Sequence, residues 1–147
     1  MAKIAARDWI FQVSDGQPTP TWLDIAEINE FDDDPSANEE ITDGTVFDSD
    51  GEYEGRKMQK GRTLELTGFY SKTGATRDPG QARVEAIHEL VGIDSLGGLR
   101  FRHTSDTLWT VWSAIVSLPG RGGGNNAFTG WKAKFTRSGV ASTAPVS

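Results

Sequence analysis

The run from Leu108 to Leu118 constrains the fold more than any other stretch. Its large apolar side chains occupy both parities: Trp109, Val111 and Ile115 on one, Leu108, Trp112, Val116 and Leu118 on the other. Successive side chains of a strand point to opposite faces, so such a strand is expected to be covered on both sides. Other segments share the period of two. Leu99, Phe101 and His103 alternate with Arg100 and Arg102. A strand over 128–137 sets Trp131, Ala133 and Phe135 inward and Lys132, Lys134 and Thr136 outward. A strand over 61–70 sets Leu64 and Leu66 on one face and Thr63, Glu65 and Thr67 on the other.

Two further strands are expected near the N-terminus, over 7–13 and 22–28. Pro18 and Pro20 between them cannot join a central ladder, because proline has no N–H. The two strands read as a hairpin or adjacent pair. One helix is expected over 79–91. Asp78 is its N-cap, Pro79 its first residue, and Gln81 stands three after the cap. Val84, Ile87, Leu90 and Val91 form its apolar stripe, and Gly92 its left-handed end. The residues thus describe a mainly β chain of about six strands with one helix, organised as a single domain over 1–147.

Charge is divided unevenly along the chain. Residues 1–55 carry 2 basic and 15 acidic side chains, and residues 56–147 carry 13 and 6, which together make the net −6 of the whole. Segment 29–56 holds most of the excess acid and reads as a long loop between strands. Loops of that length in compact domains are usually functional or disordered. A repeating assembly can use such a split by setting the acidic part of one copy against the basic part of the next. The alternative is that both are solvated faces. Residues 140–147 are small and polar and read as a flexible arm.

Little in the chain points to catalysis. With no cysteine there are no disulfides or thiolate metal sites. His88 and His103 are the only side chains that ordinarily titrate near neutrality, and no serine lies in a Gly-x-Ser-x-Gly elbow. The stretch 48–54 alternates oxygen ligands but departs from the EF-hand spacing. The glycine-rich stretch 120–126 lacks the Gly-Lys-Ser/Thr of a phosphate loop and reads as a hairpin tip. The expectation is a non-enzyme without cofactor or metal. No apolar run reaches the ~20 residues of a membrane helix, and the N-terminus lacks a signal-peptide core, so no membrane anchor is expected. Of five tryptophans, Trp109, Trp112 and Trp131 read as core. Trp9 and Trp22 are the exposed candidates for a β-sandwich module that binds carbohydrate or protein.

The order of elements carries a resemblance. A strand pair and a long polar excursion come first, then a strand ending Gly68-Phe69-Tyr70. A capped helix with Gln81 follows, with Gly92 and Leu96 after it. A long aromatic strand, a glycine-rich loop, the strand Trp131-Lys132-Ala133-Lys134-Phe135 and a closing Ser138-Gly139 complete the series. From Trp9 to Gly139 this resembles the major tail (tube) proteins of long-tailed bacteriophages, and also the inner-tube subunits of contractile tails and injection systems.

The resemblance implies a β-sandwich or half-barrel with one flanking α-helix and a long inter-strand loop. It implies hexameric rings of the chain itself, stacked into a virion tail tube that DNA crosses without specific binding. Assembly in the bacterial host cytoplasm, with tape measure and tail terminator or tip proteins as partners, is implied too. The long excursion and the terminal arm would contact neighbours. On the charge split, the interface set is Asp32, Asp33, Asp34, Glu39, Glu40, Phe47 and Tyr53 against Arg100, Arg102, Lys132 and Lys134. The carboxylates serve either that contact or the tube lumen. Deletion of 32–54 is expected to spare the fold and abolish assembly.

Overall fold

A computed structural model describes residues 3–43, 51–52, 55–70, 72–73, 75–119, 122–125 and 128–146. In chain order the strands are β1 (Trp9–Ser14), β2 (Trp22–Asp24), β3 (Ile28–Asp34), β4 (Glu40–Asp43), β5 (Gly55–Gln59), β6 (Thr63–Phe69), β7 (Lys72–Thr73) and β8 (Thr76–Arg77). Helix α1 (Pro79–His88) follows, then β9 (Leu96–His103), β10 (Leu108–Ser117), β11 (Gly130–Arg137) and β12 (Ser142–Pro145). One antiparallel sheet runs β2-β1-β9-β10-β11-β6-β3, with β12 also paired to β10. β4–β5 and β7–β8 are separate hairpins.

The sheet is rolled. Phe31 on β3 lies 5.6 Å from Trp9 and 5.4 Å from Phe11 on β1, ring centre to ring centre, although four strands separate β1 from β3 along the ladder. Among the described residues no ladder joins β2 to β3, so the roll stays an open half-barrel. Its interior takes one parity of each strand. Leu64 and Leu66, Leu99 and Phe101, and Trp112 with Ala114 and Val116 are buried there. Trp131, Ala133 and Phe135 complete it as the alternation requires.

The chain crosses from one edge of the roll to the other at residues 25–27. There α1 meets it. Asp78 caps α1 by accepting from Gln81 N–H at 3.1 Å, and the same Oδ2 accepts from Ala26 N–H at 3.2 Å. The Gln81 side chain does not turn back to the cap, as a capping box would have it. It is fully buried and donates from Nε2 to the carbonyls of Ala26 at 3.1 Å and Phe69 at 2.8 Å. Glycine is required on both sides of the crossing. A Cβ at Gly80 would overlap the Asp24 carbonyl, and one at Gly68 the Glu27 carbonyl.

Several expectations need correction. Segment 29–56 is not a loop throughout. It begins inside edge strand β3, and β4 and β5 pair with one another; residues 44–50, 53 and 54 lie outside the described residues. Deleting 32–54 would therefore remove the end of an edge strand. Helix α1 stops at His88, not at 91. Val84 and Ile87 are buried, but Leu90 and Val91 are exposed beyond its end. Gly92 does adopt a left-handed φ of 69°, but it opens a 3-10 turn, Gly92–Ser95.

The C-terminal segment, expected as a flexible arm, is partly strand. β12 pairs with Leu108–Val111, so it continues β11 along the same side of β10 after an interruption at 138–141. β10 itself is fully covered on one face only, since Ile115 on the other is exposed. Trp9 and Trp22 are half-buried rather than free platforms.

Gln81→Leu leaves two part-buried carbonyls without their side-chain donor. Its unfolding free energy should fall by about 2–4 kcal/mol, read from the urea midpoint. Gly80→Ala should destabilise at least as strongly, because the overlap is with backbone.

Candidate functional site

Of the charged residues singled out by the sequence, Arg100 and Arg102 lie at one end of the sheet's outer face and Lys132, Lys134, Asp32 and Asp34 at the other, while Asp33 points to the opposite face and Glu39 and Glu40 stand at the start of the β4–β5 hairpin. Arg100 and Arg102 project from β9 opposite Gln12 and Ile10 of β1. They cover Trp109, which is why that side chain is buried on the outer face. The Arg100 guanidinium carbon lies 4.2 Å from the Trp109 ring centre and 4.5 Å from that of Trp22; the Arg102 carbon is 4.9 Å from Trp109. Such cation–π contacts hold the guanidinium flat on the ring.

Hydrogen bonds complete the frame. Arg100 Nε donates to Gln12 Oε1 at 2.7 Å, and Gln12 Nε2 donates to Asp24 Oδ1 at 2.6 Å. Arg102 Nη1 donates to the carbonyls of His103, Thr104 and Asp106 at 3.4, 3.2 and 3.3 Å. Burial lowers the Arg100 pKa from its ordinary value, the Asp24 charge opposes the fall, and the neighbouring Arg102 adds to it. An arginine titrates so high that it stays charged regardless. Both arginines are thus built into their own chain.

The second end spans β11, β6 and β3. Register places Lys134 opposite Glu65 and Glu65 opposite Asp32. It likewise places Lys132, Thr67 and Glu30 in one row, and Thr136, Thr63 and Asp34 in another. Lys132, Lys134, Glu30, Asp32 and Asp34 are exposed. Directly opposed side chains on paired strands come within ~5 Å at Cβ. The row from Lys134 to Asp32 therefore sets a base beside two acids within one chain. Glu65 is the member of this row that sequence reasoning missed. It became visible only once β6 was known to sit between β11 and β3.

The remaining acids are used locally. Asp33 points to the opposite face from Asp32 and binds Arg62 through both oxygens, at 2.9 and 2.7 Å. That hydrogen bond is the main cause of the raised Arg62 pKa; burial opposes it and the Asp33 charge adds to it. Asp34 accepts from Ser36 N–H at 3.0 Å, closing a turn. Glu39 pairs with Lys57 at 2.8 Å, while Glu40 is exposed. Phe47 and Tyr53 lie outside the described residues, as does most of the 48–54 stretch read for calcium.

A cleft of about 360 Å³ lies beside α1, lined by Tyr70, Arg77, Glu85, His88, Trp131 and Lys132. Arg77 is held there by Glu85 at 2.7 Å and lies 3.8 Å from the Tyr70 ring centre. His88 Nδ1 faces the Val116 carbonyl at 3.3 Å. Among the described residues no group of three His, Asp or Glu is arranged to hold a metal ion.

The division between engaged and free carboxylates can be measured. Asp33→Ala should lower stability by about 1 kcal/mol, since it breaks a two-point pair at a half-buried site. Asp32→Ala, one residue away, should stay within about 0.5 kcal/mol of the parent. Paired urea titrations decide it.

No protein-family model matches the sequence, and no curated protein does. Solved structures do match the fold. A chain from the virion of a native gene transfer agent (GTA) particle aligns over 97% of this chain and 99% of its own, with a TM-score of 0.72 at 13% identity. A chain from the tail of an empty GTA particle, refined with C6 symmetry, aligns over 97% and 99% with a TM-score of 0.71 at 14% identity. A chain from the six-fold symmetrised baseplate of the anti-feeding prophage aligns over 99% and 98%, with a TM-score of 0.59 at 11% identity. At these identities the likeness establishes a shared fold, from one end of the chain to the other.

Proposed function

We propose that the chain is a structural subunit of a tail tube, in which six copies form a ring and rings stack into a hollow conduit for DNA. The observation that carries this reading is the end-to-end fold match to a chain of a six-fold tail. In this reading the protein is not an enzyme, its main partner is itself, and it resides in the virion tail.

Two physical features support it. The half-barrel leaves β2 and β3 as open edges, and an open edge is a template for another strand. The β4–β5 hairpin belongs to a separate two-stranded sheet and carries Ile41 at 56% exposure. A hairpin of that kind gains little by itself in water. It gains more by lying against another subunit. The carbohydrate reading, which needs Trp9 or Trp22 free to stack on a sugar, gains no support, since Arg100 lies over the Trp22 ring and Trp9 packs against Phe31 and Phe101.

Negative-stain microscopy of the concentrated protein should show rings or tubes with six-fold class averages. Replacing residues 41–57 by an Asn-Gly turn, which removes three of the four β4–β5 pairs and keeps Glu40 and Gln59, should preserve the melting transition and abolish tubes. Salt near 1 M should change the extent of stacking, because it shortens the screening length to about 3 Å. A strictly monomeric protein at high concentration would sink the proposal. Tubes from the shortened hairpin would remove its assigned role.

A further inference from the structure

Between β11 and β12 the chain leaves the ladder on β10 at residues 138–141, and Gly139 takes a left-handed φ of 80° there. A pocket of about 350 Å³ opens at this break. Its walls are Lys60, Arg137, Gly139, Val140 and Ala141. Both charged residues in the wall are basic, and no acid lines it.

Arg137 ends β11 on the inner parity of the roll and is partly buried, with its guanidinium carbon 6.0 Å from the Trp112 ring centre. Its Nε is buried without a hydrogen-bond partner. Among the described residues no acid pairs with the guanidinium, and exposed Lys60 has no ion pair. Acids of the adjoining elements are committed elsewhere. Asp33 gives both oxygens to Arg62, and Glu39 pairs with Lys57. Glu40 stands opposite Gln59 and does not reach the pocket wall. The backbone adds donors of its own: among the described residues the N–H groups of Gly139, Val140 and Ala141 donate to no carbonyl.

The wall thus offers donors and positive charge without a charged acceptor. A guanidinium keeps its charge at any ordinary pH, and its planar fork matches carboxylate and phosphate oxygens. Free amides around a left-handed residue favour the same kind of group. We propose that this pocket is an oxyanion site, which takes one carboxylate or phosphate group between Arg137 and Lys60, with the amides of 139–141 completing its donors. The group can come from a free anion or from an acidic side chain of another copy of this acidic chain. The site does not rest on the ring reading.

Inorganic phosphate is the probe, titrated into the dilute full chain against chloride at constant ionic strength. In amide NMR spectra the signals of Gly139, Val140 and Ala141 should move together and saturate, and the melting temperature should rise with them. Arg137→Met keeps an apolar stem near Trp112 and should weaken the response roughly tenfold or more. Lys60→Met should weaken it less, and Lys132→Met, elsewhere on β11, should leave it unchanged. Sedimentation separates the two sources. With another copy as the source, Arg137→Met raises the concentration needed for self-association, and phosphate opposes association of the parent. With a free anion as the source, self-association is the same in both proteins. Either outcome supports the site. Amides of 139–141 that stay still in the parent would overturn it without any substitution, as would an equal response in Arg137→Met. Both of those results leave the ring reading untouched.

Discussion

Three residues of backbone, 25–27, decide whether the sheet stays rolled. The strand order places β2 at one edge and β3 at the other, so the chain must pass between edges that share no ladder. Where such a crossing is buried, as at Ile25, peptide groups without partners would each cost about 1–3 kcal/mol. Here its polar atoms find partners in other elements. Ile25 N–H donates to the Phe11 carbonyl at 3.0 Å, Ala26 is bonded on both sides by Asp78 and Gln81, and the Glu27 carbonyl accepts from Phe69 N–H at 3.0 Å. Helix, edge strand and sheet end are therefore held by the same few bonds. α1 cannot lose its cap without also loosening the crossing, because Asp78 Oδ2 serves both.

That dependence explains which parts of the fold were legible in the sequence. Strands with one buried face declare themselves through period two: Leu99 to His103, Trp131 to Phe135, and Leu64 with Leu66. The start of α1 was legible because a cap is a local device. Its end was not. Leu90 and Val91 continue the apolar spacing, but the last turn tightens, with Glu89 and Leu90 N–H donating to the carbonyls of Ala86 and Ile87. Gln81 read as a cap residue and is instead a core donor, because its partners lie 55 and 12 residues away. β3 was hidden by its acids: Glu30, Asp32 and Asp34 face water on an edge, so only Ile28 and Phe31 pack against the core as large apolar side chains. β12 was hidden by small residues whose ladder partners, Leu108–Val111, are distant in sequence.

The candidate site was legible in charge and not in geometry. A count along the chain separates an acidic first part from a basic second part, but antiparallel pairing folds one onto the other. Lys134 comes to lie beside Glu65, with Asp32 one strand further on, and Arg62 binds Asp33 across 29 residues. Arg100 and Arg102 are basic by composition, yet the neighbours that matter to them are Trp22 and Trp109. Stacking on aromatic rings is what lets two like charges sit two residues apart on a half-buried surface. The charge left over for other molecules is smaller than the sequence total suggests, and it is carried by residues at the sheet's β3 edge and along β11.

The β3 edge also restricts how copies can meet. Edge strands invite pairing with a second chain, and acids along them discourage indiscriminate pairing. Two copies joined symmetrically through β3 would set Glu30, Asp32 and Asp34 against the same residues of the partner. Directly opposed like charges destabilise a strand pair. At the other edge β2 has only three residues, and the segment leading into it holds Pro18 and Pro20, which limits its ladder. A symmetric dimer is thus disfavoured at both edges. A head-to-tail arrangement avoids the conflict, because each acidic edge then faces a different surface of the next copy. The same electrostatics that disfavour symmetric pairing of the chain with itself leave open a head-to-tail geometry, the kind that can close into a ring.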